Sequence, residues 1–355
     1  MMATIIKGMN AMLYLDLQNG GELLKDMLTF QALPEFLQQH PRFAGQTLLY
    51  FYSPARPTVI CGHFQNVYRE VDLSYLRAHE IALVRRNSGG GAVYVDAGDL
   101  TYVYIAPAGA DKNAQLKQYL QPILAALREL GIDAQMTGRN DLTYRGRKFS
   151  GMSFAKVGKQ MSYGGTLMFD VDTATASHVL TPSPAKLANR GIHSVHQRVI
   201  NLKPYLKQAE FTVKDLQVAI LRQVARVNDL QTTQLTSKEW AAVQTLAQQK
   251  YGQPSWIYGH NRTPYYVDAY FPGVGNFGIG FAVQAQRLSQ VSLAGDLLTF
   301  DQSQATALEK TLIGVPLAVD PIKAVLQQGG LATALAPSAP ALLAAKMVAA
   351  RAHEN

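Results

Sequence analysis

The chain has 355 residues, with 33 Lys plus Arg against 25 Asp plus Glu, for a formal charge of +8. Hydrophobic residues make up 48% and charged residues 16%, which can bury a core and excludes a disordered chain; the length suits two domains, or one large one with an appendage. Cys61 is the single cysteine, excluding an intrachain disulfide and a multi-cysteine zinc site, and no apolar run approaches the roughly 18 residues of a membrane span.

Met1–Asn10 lacks the apolar core of a secretory signal, so the expected location is the cytoplasm; residues 1–11 fit either a native start or an extension. Short runs rich in Val, Ile, Tyr and Thr predict strands over Thr47–Tyr52, Thr58–Cys61, Ala82–Arg86, Ala92–Val95 and Leu100–Ile105. Leu116, Leu120, Leu124, Leu127 and Leu130 recur at helical spacing before Gly131, predicting a helix over Ala114–Leu130. Strands follow near Asp141–Tyr144, Lys148–Phe154 and Gln160–Phe169, then a helix over Val213–Asn228. Asp229–Ser237 is polar and rich in Gln and Thr, so a linker is expected there or just after the next helix, Lys238–Tyr251. Beyond Gly252, strands Tyr265–Phe271, Phe277–Val283 and Leu288–Leu293 precede two or three short helices ending in an Ala-rich stretch, a small α+β unit. There is no internal repeat.

The charge is uneven. Between Arg139 and Lys207 eleven basic residues stand against three acidic ones, so this segment holds the whole excess. Such a segment attracts a phosphate, an acidic protein or a nucleic acid backbone, or is simply a solvated basic surface. Within and before it lie two dense motifs. Arg85-Arg86-Asn87-Ser88-Gly89-Gly90-Gly91-Ala92-Val93-Tyr94 sets two arginines at a strand end and three glycines in the turn. Glycine runs cost backbone entropy and serve where the main chain curls around a ligand, while guanidinium groups are fixed forks for phosphate or carboxylate. A tight hairpin with two surface arginines is the plainer reading. The second motif is Gly138-Arg139-Asn140-Asp141-Leu142 followed by Lys148-Phe149-Ser150-Gly151-Met152. There a carboxylate suits Mg²⁺ and an amide suits a base or ribose. Lys148 opens a strand whose alternation puts Ser150 on its own face; such a lysine clamps an anion or is merely a solvated strand edge. Gly273, Gly275 and Gly278 spell a dinucleotide fingerprint, but a strand-like run follows instead of a helix, so they read as a hairpin turn. His193 and His196 lack a third ligand nearby and read as basic-loop residues.

Taken in order, these motifs resemble the lipoate-protein ligase family, together with Gly165-Thr166-Leu167, Leu187–Val195, Arg198–Leu202, Trp256, Tyr258 and Gly259. The resemblance runs over nearly the whole chain from Met12 onward. It implies an α+β (mixed) fold: a biotin/lipoate ligase-like catalytic domain with a mixed sheet and flanking helices, here 1–250, and a small α+β C-terminal accessory domain, 251–355. The implied cofactors are ATP and Mg²⁺. The implied reaction joins lipoate, or a related medium-chain acid, to AMP, then passes the acyl group to a lysine of a lipoyl acceptor domain. Such domains belong to 2-oxoacid dehydrogenase E2 subunits and the glycine cleavage H protein; neither membrane nor nucleic acid is an expected partner. By the same resemblance Lys148 is catalytic and Arg86 holds the acid or phosphate. Ser88, Gly89, Gly90, Gly91, Ala92, Val93 and Tyr94 face the nucleotide, Asn140 and Asp141 the nucleotide or metal, and Val95, Ser150, Gly151, Gly164, Gly165 and Thr166 the acid. Lys186 and Arg190 are expected to meet phosphate or an acidic acceptor. Four positions depart from the family pattern: Val95 and Gly164 where it writes histidine, Asp99 where it writes asparagine, and Leu23–Phe30 in place of its Glu-Glu helix. Val95 and Gly164 are expected to make the acyl end smaller or less polar. Two other readings are a lipoyl or octanoyl transferase, which needs a cysteine near Lys148 where none stands, and a non-catalytic acyl-adenylate-binding paralogue. Cys61 reads as a buried small residue.

Overall fold

The computed structural model describes residues 10–19, 22–23, 26–138, 140–181, 199–259, 263–272, 274–296 and 302–352. Arg139, Lys186, Arg190, His193, His196, Arg198 and Gly273 lie outside these residues.

The N-terminal elements are β1 (Asn10–Leu15), the two-residue β2 (Gln18–Asn19) and β3 (Glu22–Leu23), α1 (Met27–Gln39), β4 (Leu48–Tyr52), β5 (Thr58–Cys61), α2 (Val67–Glu70), α3 (Leu73–Ala78), β6 (Ala82–Arg85) and β7 (Val93–Val95). Then come β8 (Asp99–Pro107), α4 (Lys112–Glu129), β9 (Gln135–Thr137), β10 (Asp141–Tyr144), β11 (Arg147–Val157), β12 (Gln160–Met168), α5 (Thr173–Val179), α6 (Val213–Val227), β13 (Asn228–Thr233), α7 (Ser237–Leu246) and α8 (Pro254–Tyr258). Eight strands form one mixed sheet in the order β13-β1-β4-β8-β12-β11-β10-β9, with β1 parallel to both its neighbours and the other pairs antiparallel.

Eight of the nine residues of β8 are buried, because helices cover both faces of the sheet. On one face Leu120, Ile123 and Leu127 of α4 and Leu216, Ile220 and Val224 of α6 pack against Tyr102, Tyr104, Phe149 and Leu167. On the other, Phe30, Leu33 and Leu37 of α1 and Trp240 and Val243 of α7 pack against Tyr50, Tyr52, Val103 and Ile105. This second face carries the cleft described below.

Two expectations are corrected here. Asp229–Ser237 is no linker: β13 pairs in parallel with β1 from Asn10↔Asn228 to Leu15↔Thr233. Its text is polar because an edge strand leaves alternate side chains in water. The helix expected to be absent near Leu23–Phe30 is α1, started by Asp26, whose carboxylate accepts from the Leu28 and Thr29 amides. Helical periodicity was hidden by Pro34 and by buried Gln31 and Gln38. Glu35 on α1 accepts from Lys250 Nζ and Tyr251 Oη, both at 2.6 Å, so α1 is tied to the five-residue π-helical turn, Ala247–Tyr251, that ends α7.

A second sheet, β6-β5-β7, holds the glycine-rich loop between its outer strands. The third, antiparallel β14 (Tyr265–Phe271), β15 (Gly275–Gln284) and β16 (Arg287–Gly295), packs on α9 (Gln302–Leu312), α10 (Val319–Gln328), α11 (Leu331–Ala334) and α12 (Ala339–Ala352). Phe277, Ile279 and Phe281 form its core with Leu308, Leu312, Leu326 and Met347. Gly275 follows the β14–β15 turn and Gly278 lies within β15, opposite Asp268, as the hairpin reading requires. This unit is bound to the rest by the Gly295 amide on the Phe64 carbonyl (2.9 Å) and by Gln65 Nε2 on Asp296 Oδ1 (3.1 Å).

Asp99, at the start of β8, is fully buried with Oδ2 unpartnered among the described residues; Thr101 Oγ1 gives Oδ1 a long hydrogen bond of 3.3 Å. Burial raises its pKa well above the ordinary 3.8, which favours the protonated carboxyl in the folded protein. The stability that comes with the bound proton is complete below the unfolded pKa and is lost as pH rises through the folded one. Asp99→Asn is therefore expected to raise stability at neutral pH by about 1–3 kcal/mol, with the gain vanishing on acidification towards the unfolded value. Urea unfolding of both proteins across this pH range reads the difference.

Candidate active site

The glycine-rich loop is shaped by the two arginines before it. Arg85 is buried and points back into the protein, donating from Nη1 to the carbonyls of Gly62 (2.7 Å), His63 (2.9 Å) and Gln65 (2.8 Å), and from Nε to that of Ile257 (2.9 Å). Trp256 of α8 returns a hydrogen bond from Nε1 to the Arg85 carbonyl (3.0 Å). Arg86 curls into its own loop: Nη2 donates to Gly89 O (2.7 Å) and Gly91 O (2.9 Å), Nε to Gly89 O (3.2 Å) and Nη1 to Ile60 O (3.2 Å). Burial lowers its pKa to about 10, so it stays charged at neutral pH. Sequence placed Arg86 directly on the acid or phosphate; in the structure its guanidinium is a brace for the loop, bordering the cleft while engaged with backbone.

Gly90 takes φ +92°, which an L side chain rarely adopts, and its carbonyl packs on the Cα of Gly62, leaving no room for a Cβ there. Ser88 is linked to Ser153 on β11, Oγ to Oγ at 2.8 Å, closing the loop onto the main sheet.

Lys148 reaches the cleft because β11 is bulged. Asp141 pairs with Gly151 and Leu142 with Ser150, but Thr143 pairs with Lys148, so Phe149 is the extra residue. The bulge breaks the alternation that would have placed Ser150 beside Lys148. Phe149 and Ser150 instead both face α4: Phe149 is in that core, and buried Ser150 lies by the Tyr102 hydroxyl and does not line the cleft. The Lys148 chain runs across Gly151, where a Cβ would stand 2.5 Å from Nζ, and ends on Asp141 Oδ1 at 2.7 Å. Each partner is about one-quarter exposed. The Lys148 carbonyl accepts from the Ile200 amide at 2.9 Å, which fixes the backbone beneath it.

These groups surround a cleft of about 400 Å³. Ser88, Gly90, Gly91, Ala92 and Val93 border it with Asn140, Asp141, Lys148, Gly151, Gly164, Gly165 and Thr166. Asn140 also ties β10 to β11, Nδ2 donating to Met152 O at 2.6 Å. Besides Ser150, three expected residues lie elsewhere. Val95 is wholly buried with Ile60, Val84 and Val103, and Tyr94 packs on the opposite face of its sheet with Val59 and Cys61. Gly89 contributes only the carbonyl that holds Arg86, and does not border the cleft.

The structure adds residues that sequence reasoning missed. Phe30, Gln31 and Pro34 of α1, with Tyr52, Thr101, Val103 and Ser162, line the end remote from Asp141; Tyr270, Val274, Gly275 and Asp296 of the third sheet border the cleft as well. The one signal for Gln31 was a glutamine set among Phe30, Ala32 and Leu33. Phe30 stacks on Tyr52 at 4.1 Å, making a mostly apolar wall.

Gly164 and Gly165 differ in what they tolerate. A Cβ on Gly164 would meet Val103 Cγ2 at 3.5 Å, an ordinary contact, whereas one on Gly165 would lie 2.6 Å from Tyr102 Cζ and 2.9 Å from Met152 Cγ. Gly164→Ala is expected to fold with stability within about 0.5 kcal/mol of the parent. Gly165→Ala is expected to lose about 1–3 kcal/mol, and urea unfolding separates the two.

Cys61 is fully buried on β5, and burial pushes its thiol up to about 11, so it is no thiolate nucleophile. Among the described residues no three His, Cys, Asp or Glu side chains gather as a metal cluster, and no helix is long and apolar enough to cross a membrane.

The lipoyl protein ligase A/B catalytic domain family matches residues 26–225. A protein of Staphylococcus aureus named lipoate-protein ligase 1 is 33% identical over 259 residues, 73% of this chain and 78% of that one. The Bacillus subtilis lipoate-protein ligase LplJ is 31% identical over 310 residues, 85% and 90% of the two chains. Among solved structures, P. falciparum LipL1 in complex with lipoate superposes with a TM-score of 0.69 at 19% identity, covering 90% of this chain and 94% of that one. Lipoate-protein ligase A bound with ATP gives 0.59 at 24% identity, covering 71% and 99%. With the family matched across the arginine loop, the bulged lysine strand and the helix over the cleft, this chain belongs to the lipoate-protein ligases.

Proposed function

We propose that the chain attaches lipoate, or a related medium-chain acid, to a lysine of lipoyl acceptor domains through an acyl adenylate. The observation that carries this reading is Lys148, held across Gly151 by Asp141 between a braced glycine loop and an apolar wall. In the first step a carboxylate attacks the α-phosphorus of ATP and pyrophosphate leaves. Two anions meet, so a cation must offset their repulsion and the charge developing at phosphorus. Lys148 exchanges Asp141 for the carboxylate and α-phosphate oxygens, while the loop from Ser88 to Val93 offers backbone to the nucleotide. In the second step an acceptor lysine amine attacks the acyl carbon and AMP leaves with the bonding electron pair. Positioning suffices, and no enzyme nucleophile is needed.

Asp141 is the carboxylate that would hold Mg²⁺, an ion that commonly binds through one or two carboxylates plus substrate phosphates. When bound, Mg²⁺ neutralises phosphate charge. Exposed Arg145, Lys156, Lys159 and Lys207 belong to the basic segment and would meet an acidic acceptor surface. Residues 1–250 act in this reading as the catalytic domain and 251–355 as the accessory domain. Support comes from relatives: the Staphylococcus aureus and Bacillus subtilis proteins are named lipoate-protein ligases, and a bi-partite ligase of Thermoplasma acidophilum was solved in a study that includes its E2 lipoyl domain. The buried, high-pKa Cys61 favours the ligase over a thiol-dependent transferase.

Radiolabelled pyrophosphate exchange into ATP tests the first step. Exchange is expected only when lipoate or octanoate is present; its absence with both acids would refute adenylation.

A further inference from the structure

The strand that carries Lys148 also carries Ser153, whose hydroxyl meets that of Ser88 from the glycine loop at 2.8 Å, and both side chains border the cleft. A serine hydroxyl has one hydrogen to give and can accept two. One hydrogen lies between the two oxygens, so the pair keeps a second, and neither side chain makes another hydrogen bond among the described residues.

Burial assigns the second hydrogen. Ser88 is 7% exposed, and a buried donor spends its hydrogen within the protein; the Ser153 oxygen is the acceptor within its reach. Ser153 is half-buried and lies on the cleft, so its own hydrogen is left to turn towards a ligand. Its partner across β12 is Gly164, so no side chain stands beside the hydroxyl on that flank.

The spacing suits an anion held at two points. The Lys148 ammonium ends over Gly151, 2.5 Å from where a Cβ of that glycine would stand. Ser153 lies two residues further along the same strand, about 7 Å away and on the same face. Hydrogen bonds of ordinary length to two different oxygens of one phosphate bridge about that distance.

We propose that Ser153 is a further catalytic residue, which accepts the Ser88 hydrogen and donates its own to an oxygen of the ATP α-phosphate. The inference rests on the ligase reading above. Charge builds on the α-phosphate oxygens in the first step, and a donor already aimed there stabilises the transition state more than it stabilises bound ATP. Ser88 acts through Ser153 and is a positioning residue: its hydrogen occupies a Ser153 lone pair and so turns the Ser153 hydrogen towards the cleft. No bond to either serine forms or breaks.

The test is a mutant cycle in the full chain, with Ser153→Ala, Ser88→Ala and the double variant, beside Ser153→Cys and Ser153→Thr. Each is assayed for lipoate-dependent exchange of radiolabelled pyrophosphate into ATP and for urea unfolding. Ser153→Ala is expected to lower kcat about tenfold to a hundredfold, as for a lost hydrogen bond to a charged group, with the urea midpoint and KM for lipoate unchanged. Ser153→Cys fills the same space with a weak donor and is expected to fall with it, while Ser153→Thr restores the hydroxyl and the rate. Ser88→Ala is expected to cost less, about threefold to tenfold, and nothing more once Ser153 is alanine. An unchanged kcat in Ser153→Ala, or Ser153→Thr as slow as Ser153→Ala, overturns the contact and leaves adenylation standing. Single losses that multiply in the double variant overturn the relay from Ser88. A parent without exchange with either lipoate or octanoate overturns the ligase reading and the contact together.

Discussion

Lys148→Ala is expected to lower acid-dependent pyrophosphate exchange by about a hundred- to a thousandfold, the usual effect of deleting one preorganised group from a charged transition state. The fold should survive, because Lys148 and Asp141 are each about one-quarter exposed and water can take over the freed carboxylate. Lys148→Arg should not restore activity: a planar fork cannot follow the path across Gly151 and serve two anions as a compact ammonium does. If Lys148→Ala retains exchange near the parent rate, the lysine is not the catalytic cation and the bulge in β11 has another purpose. If exchange falls while ATP and the acid still bind, the loss belongs to the chemical step. That outcome also separates an enzyme from a paralogue that only holds the adenylate, since in the latter Lys148→Ala changes affinity alone.

Arg86→Ala is expected to have the second largest effect, on both stability and nucleotide binding. Its guanidinium supplies hydrogen bonds to three carbonyls, those of Ile60, Gly89 and Gly91. Each carbonyl left dry costs about 1–3 kcal/mol, so a total loss of about 3 kcal/mol or more is expected. The loop carrying Ser88 to Val93 then has no brace, and KM for ATP should rise about tenfold or more, with a smaller change in KM for the acid. Arg86→Lys should recover little, because one ammonium cannot span three carbonyls in different directions. Urea unfolding together with ATP titration reads both effects. A variant as stable as the parent, with unchanged KM for ATP, would show that the loop holds its shape without the arginine.

Much of the architecture was legible because it follows simple periodicity. The leucines of α4 and the alternating text of β14, β15 and β16 placed those elements within a few residues of where they stand. What stayed hidden depends on partners distant in sequence. The polar text of β13 becomes a strand only because the β1 backbone lies beside it, and α1 is helical despite Pro34 and buried Gln31 because its apolar side covers the sheet. The motifs around Lys148 and the glycines were visible as residue types, but their roles needed geometry. An arginine beside a glycine loop can bind a ligand or bind the loop, and the carbonyls around Arg86 show that it binds the loop. Strand alternation put Ser150 beside Lys148, and a single bulged residue reversed it. Gly164 on β12 was foreseen, but the rest of the remote wall was missed because Phe30, Tyr52, Ile60 and Val103 come from α1, β4, β5 and β8, none of which carries a motif.

The most direct measurement is the intact mass of a purified apo lipoyl domain after incubation with the protein, lipoate, ATP and Mg²⁺. The account predicts the increment of one lipoyl group, placed on a lysine by fragmentation, dependent on ATP and absent with Lys148→Ala. No increment with ATP and lipoate both present, or an increment that does not require ATP, would contradict it.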